Sequence, residues 1–201
     1  GHPYDLTVYG DELVFGVFSE TSRELWTYSA GTGVAKKLSD IAPGLNYNPG
    51  VGASSGWLTE VAGRLFYVGY GPEVGGELWQ YDQATGTVEL AADIRPGAQG
   101  SEPSELLALD GKLYLNADNV LQIYDPATGL VEPAANEPQA TFPRALTPLG
   151  DDVYFTAGDP RRIWRYSPST DEMDVVVNTS DGTFLPTHLV AHAEKLYYFY
   201  Y

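Results

Sequence analysis

Glu77-Leu78-Trp79-Gln80-Tyr81-Asp82, then Gln83-Ala84-Thr85-Gly86, then Thr87-Val88-Glu89-Leu90-Ala91-Ala92-Asp93-Ile94, reads as a strand, a turn and a second strand. β-Favouring residues flank a cluster of turn formers that ends in glycine, and no helical period runs through either flank. Upstream, Leu58-Thr59-Glu60-Val61 and Arg64-Leu65-Phe66-Tyr67-Val68 flank Ala62-Gly63, the pattern of a hairpin with a two-residue turn. A glycine-rich segment, 69 to 76, joins the two pairs and reads as a loop. Four short antiparallel strands over about 40 residues make one small sheet.

The same unit recurs along the chain. Third strands are legible at Glu24-Leu25-Trp26-Thr27-Tyr28, Val120-Leu121-Gln122-Ile123-Tyr124-Asp125 and Arg162-Ile163-Trp164-Arg165-Tyr166. Tyr28, Tyr81, Tyr124 and Tyr166 occupy one repeat position, with Trp26, Trp79 and Trp164 two residues earlier on the same strand face. Large aromatics in such a ladder are expected to fill the space between neighbouring sheets. First and second strands open at Leu6, Leu58, Leu106, Leu146 and Leu189, each followed seven residues on by Leu13, Leu65, Leu113, Val153 or Leu196. Prolines precede four of these openings, at Pro3, Pro103, Pro143 and Pro186.

Repeats of roughly 40 to 50 residues indicate propeller blades or solenoid coils. The expected fold is all-β: a β-propeller of four to five four-stranded blades, read as one domain over 1–201, with repeats starting near 3, 55, 103, 143 and 186. First and second strands occur five times, but third and fourth strands only four times, so the last blade is incomplete. Three arrangements fit that count: a five-bladed ring with a half-size blade, a four-bladed ring with a displaced hairpin, or part of a longer array that pairs with another chain. An open edge at Tyr197-Tyr198-Phe199-Tyr200-Tyr201 would recruit a partner, so association through the C-terminal edge is expected.

The Glu-Leu-Trp-x-Tyr-Asp-x-x-Thr-Gly run, with Asp40-Ile41-Ala42-Pro43-Gly44 and Asp93-Ile94-Arg95-Pro96-Gly97, resembles the ELWxxDGT-type repeat of bacterial, mostly exported, proteins. The Pro-x-x-Leu opening and Leu-Tyr-Phe second strand are more distantly similar to NHL and kelch-like blades. The resemblance covers nearly the whole chain and is weakest in the third and fourth copies, where Gln122 replaces the Trp and Asp-Ile-x-Pro-Gly is lost. It implies a propeller in an extracellular or periplasmic setting, and it implies no catalytic residue.

A formal charge of −16, from 27 acidic against 11 basic residues, argues against nucleic acid as a partner, because such affinity comes largely from neutralised phosphates. No apolar run reaches the roughly 18 to 20 residues that span a bilayer as a helix. The absence of cysteine removes disulfides and thiolate metal sites.

Functional candidates concentrate in the longer connections, which a four-stranded meander sends to one end: 16–23, 42–57, 69–76 and 95–105. Asn46, Tyr47, Asn48, Trp57 and Tyr70 combine amides with flat rings, a pairing that suits a sugar, although Asn and Gly also build turns. Asp5, Glu102, Glu105 and His188 stand at blade entries, where carboxylates converging on a channel mouth would suit a hard cation such as calcium. Solvated acidic loops are the alternative. Asp40 and Asp93 offer carboxylates either to calcium or to backbone N–H groups of their own loops, the local role this residue type often takes. No nucleophile elbow or phosphate-loop glycine spacing occurs.

The leading expectation is a non-catalytic recognition or accessory module that binds a protein or a glycan through the loop-rich end. A metal-dependent propeller hydrolase, lactonase or lyase acting at the channel mouth is the alternative from another class. A structural array unit is the third.

Overall fold

A computed structural model describes residues 2–18, 22–43, 58–135, 137–178 and 186–200, and the chain divides into two compact units, 1–104 and 105–201. The first unit carries β1 (His2–Tyr9), β2 (Glu12–Phe18), β3 (Ser22–Ser29) and β4 (Val34–Pro43), then β5 (Leu58–Val61), β6 (Arg64–Gly71), β7 (Gly75–Asp82) and β8 (Thr87–Ala92). After β9 (Ser104–Leu109), which begins at the unit boundary, come β10 (Lys112–Ala117), β11 (Val120–Asp125), β12 (Leu130–Pro133), β13 (Arg144–Leu149), β14 (Asp152–Ala157), β15 (Arg162–Ser167) and β16 (Glu172–Val177). A final hairpin joins β17 (Pro186–His192) to β18 (Lys195–Tyr200). The first sixteen strands form four antiparallel sheets, each in chain order, and the last two form a sheet of their own. Four full blades and a half blade are what the repeat count requires. Among the described residues no helix is long and apolar enough to cross a membrane.

Local chemistry accounts for the strand boundaries. Ala62-Gly63, Asp110-Gly111, Asp118-Asn119 and Ala193-Glu194 have positive φ at both positions, between 47° and 73°, as the tight hairpin turn matched to strand twist requires. In the Tyr-Asp-x-x-Thr-Gly turns the Asp oxygen accepts the N–H two residues on, Ala84 from Asp82 and Ala127 from Asp125, both at 2.8 Å. Gly86 and Gly129 then take φ of 69° and 74° and return their N–H groups to the carbonyls of Asp82 and Asp125. The fourth copy lacks that glycine, and Asp171 adopts the left-handed conformation in its place.

One register joins second to third strands in all four complete sheets. The ladder tyrosine faces Leu13, Leu65, Leu113 or Val153, and the position two residues earlier faces Phe15, Tyr67, Leu115 or Phe155. Two of the ladder tyrosines pack sheet on sheet, as the spacing implies. In the first unit Tyr81 meets Tyr9 edge to face at 6.0 Å, within a core that also holds Val14, Leu25, Leu65 and Tyr67. In the second, Tyr166 lies 6.2 Å from Tyr114, in a core with Val153, Phe155 and Trp164. Tyr28, in the first sheet, is 38% exposed.

Two expected loops are shorter than the sequence suggests. Gly16 to Phe18 belong to β2, and Gly69 to Gly71 with Gly75 and Gly76 belong to β6 and β7, leaving 72–74 as the turn. The glycines sit in strands because rings lie over them. A Cβ on Gly69 would come within 2.6 Å of the Trp79 ring, and one on Gly16 would meet the Tyr4 ring.

Candidate functional site

In each meander sheet the turns after the first and third strands leave from one end; the turn after the second leaves from the other, with the connection to the next sheet. In the first unit the connection described throughout is 93–103, between β8 and β9. It is built around Glu77, the acid of Glu-Leu-Trp, whose residue is fully buried at the start of β7. One carboxylate oxygen accepts the N–H groups of Arg95 at 3.0 Å and Ser101 at 2.8 Å; the other accepts Ile94 N–H at 3.0 Å and the Ser101 hydroxyl at 2.7 Å. A buried charge is tolerated when hydrogen bonds surround it in this way.

The returning end of the loop lies against β7. Gly76 and Gly100 form an isolated parallel bridge, and the N–H groups of Ser101 and Glu102 both reach the Gly76 carbonyl. A Cβ on Gly75 would collide with the backbone of residues 98–100, so the approach depends on two glycines. The acid that caps this loop is thus Glu77 rather than Asp93, which is exposed. The signal was present in the chain itself: Val120 and Arg162 replace the Glu in the third and fourth copies, and both copies also lack Asp-Ile-x-Pro-Gly. In the first copy Glu24 instead accepts the Trp26 indole N–H at 2.9 Å and the Lys37 ammonium at 3.0 Å.

The four entry residues occupy two kinds of position. Asp5, Glu105 and His188 are equivalent to one another and to Ala145, each two residues after the repeat proline, and all four have φ between 51° and 59°. Register shifts in β1, β13 and β17 mark β-bulges there. Asp and His are among the residues most tolerant of that conformation, a local reason for two of the side chains. The Glu105 carboxylate accepts the bulge N–H of Ala145 at 2.8 Å. His188 is exposed. Asp5 borders a cavity of about 10 Å³, room for one water, lined also by Tyr4, Gly16, Leu25 and Tyr67. Burial raises its carboxyl from its ordinary value, and the charge of Arg23 opposes that shift.

Glu102 sits over Gly76. Burial raises its carboxyl, the Glu77 charge adds to the shift, and the Gly76 N–H counters it. Tyr70 pairs in register with Gly76, which puts a residue chosen for sugar binding and one chosen for metal binding at the same end of β6 and β7. Asn46, Tyr47, Asn48 and Trp57 lie outside the described residues, as do the side chains of Asp40 and its neighbours to Pro43. Among the described residues no group of three or more His, Asp or Glu side chains could hold a metal ion. The indole N–H of Trp79, buried over Gly69, has no acceptor among the described residues.

No family model matches the chain, and no curated protein matches it. Solved structures do. A catalytically inactive virginiamycin B lyase from Staphylococcus aureus with quinupristin is 19% identical, with a TM-score of 0.62 over 96% of this chain and 61% of that one. The β-propeller domain of the Trilobed protease from Pyrococcus furiosus, described as having an open velcro topology, is 13% identical, with a TM-score of 0.58 over 96% and 60%. The extracellular domain of a one-component system from B. thetaiotaomicron is 13% identical, with a TM-score of 0.59 over 96% and 25%. The chain spans less than two thirds of each. At these identities the likeness establishes the fold, a β-propeller of four-stranded blades with the last incomplete.

Proposed function

We propose that this chain is a non-catalytic recognition or accessory module of an exported bacterial protein, built from repeats of the ELWxxDGT type. It binds a protein or a glycan through the end that carries the long connections. The observation that carries this reading is the Glu77 knot. A buried carboxylate holds residues 94, 95 and 101 by their N–H groups, so a long connection stands preorganised on a rigid sheet. Preorganised loops on a scaffold lose little entropy on binding. Glu102 and Glu105 likewise bond to backbone N–H groups and serve the scaffold. The likeness to an extracellular domain supports the exported setting.

The test is a glycan array and an immobilised-protein panel probed with the full chain. A variant with residues 96–99 replaced by Gly and Ser keeps every N–H that Glu77 accepts. Loss of binding with an unchanged melting midpoint supports the reading. Binding that survives both this replacement and Trp57→Ala overturns it.

A second reading, a metal-dependent propeller hydrolase, lactonase or lyase, draws on Asp5, Glu102, Glu105 and His188 at the blade entries, of which Glu102 lies beside the buried Glu77 charge. Calcium or EDTA moving the melting midpoint by several degrees favours it; an unmoved midpoint removes it.

A further inference from the structure

The last hairpin differs from the other four sheets in having two strands among the described residues, as the repeat count anticipates. Its second strand, β18, pairs with β17 alone among the described residues. The edge that β2, β6, β10 and β14 each give to a third strand carries none on β18 among the described residues. Position by position β18 is equipped like them: Leu196 stands where Leu13, Leu65, Leu113 and Val153 face the ladder tyrosine, and Tyr198 stands where Tyr67, Leu115 and Phe155 face the residue two before it. Those three counterparts are 0–2% exposed and the fourth, Phe15, is half-buried, whereas Tyr198 is 39% exposed and its neighbour Phe199 65%. Leu196 to Phe199 include no charge, proline or glycine, and the one basic residue, Lys195, stands at the strand's start. Strand edges meant to stay solitary are blunted by such residues.

We infer that the β18 edge is an acceptor for an antiparallel strand carrying Trp-x-Tyr, with the tyrosine opposite Leu196 and the tryptophan opposite Tyr198. The occupant is a polypeptide segment of the same kind as β7 and β8. The register common to all four complete sheets sets its alignment. Backbone hydrogen bonds along the edge supply affinity, and the two aromatics supply register and specificity. This surface lies in the second unit, and the inference stands independently of the recognition reading above.

The experiment titrates the full chain into a labelled peptide spanning Gly75 to Ala92, followed by fluorescence anisotropy. Saturable one-to-one binding is expected. A peptide carrying Trp79→Ser and Tyr81→Ser should bind at least about tenfold more weakly. Tyr198→Ser in the chain should weaken the parent peptide while leaving the chain's own melting midpoint in place. As a second arm, the same segment is fused after Tyr201 through a flexible linker. That fusion should raise the melting midpoint and slow hydrogen exchange in β18, and the fusion with both serines should not. Equal binding by the two peptides, or no stabilisation by the fusion, overturns the inference. So does a self-association of the chain through β18 that peptide cannot displace, since the edge then belongs to a second copy.

Discussion

Glu77 and Ser101 grip each other through both carboxylate oxygens, Ser101 N–H on one at 2.8 Å and Ser101 hydroxyl on the other at 2.7 Å, across 24 residues of chain. This contact closes the 93–103 connection onto the strand that precedes it.

Removing that carboxylate should loosen the loop and weaken the first unit. Glu77→Ala takes this acceptor from the buried Ser101 hydroxyl and N–H and from the part-buried N–H groups of Ile94 and Arg95, a cost of about 3 kcal/mol; Glu77→Gln, which keeps one acceptor oxygen, should lose about half as much. Hydrogen exchange at Ile94, Arg95 and Ser101 is the local readout. Unaltered exchange there in the alanine variant would contradict the capping role.

Gly69→Ala should destabilise through overpacking, because the new methyl falls within 2.6 Å of the Trp79 ring. A loss of about 1–3 kcal/mol is expected, with a changed Trp emission spectrum as the ring shifts. Gly63→Ala serves as the comparison. Its Cβ meets nothing within 4 Å, so only the φ of 72° opposes it, and the ring environment should stay as it is.

Alkali should unfold the chain by way of its buried phenols. Burial raises Tyr67 from 10.0 to about 12, with Ser39 opposing the shift. Burial, reinforced by Glu12 for Tyr81 and by Asp171 for Tyr166, carries those two higher still. An acid weaker in the folded state contributes stability in full below its unfolded value, near 10, and loses it as pH rises beyond. Urea midpoints should hold to about pH 9 and fall steeply above 10. Tyr81→Phe and Tyr166→Phe should each flatten that fall, and identical slopes in wild type and both variants would refute the assignment.

Glu102→Gln should stabilise at neutral pH. The folded state raises this carboxyl, so its ionised form is disfavoured there by burial and by Glu77. Glutamine keeps an acceptor for the Gly76 N–H without the charge. The gain in melting midpoint should be present at pH 7 and vanish below the unfolded value, 4.5, where wild-type Glu102 is itself neutral. A gain that persists at pH 3.5 would point to another cause.

The repeat, its four-stranded unit, the tight turns and the Trp-x-Tyr ladder were all readable from the amino-acid order. Each is a local matter: turn residues with fixed φ demands, β-favouring runs, and a period of two that puts Trp79 and Tyr81 on one face. Even the two-stranded form of the last unit could be counted. What only folding decided is where distant groups meet. Gly69 read as a loop residue, because nothing nearby in sequence announces a Trp79 ring lying over it. Asp93 sits in its own loop and seemed the natural cap, yet Glu77, buried sixteen residues earlier, takes the role because β7 and β8 pair antiparallel and bring its carboxylate under the loop's N–H groups. Asp5, Glu105 and His188 are candidate ligands by residue type alone, and the backbone gives all three the same left-handed conformation near the start of a first strand. Local propensity is written residue by residue, whereas a hydrogen-bond partner is selected by the path of the whole chain.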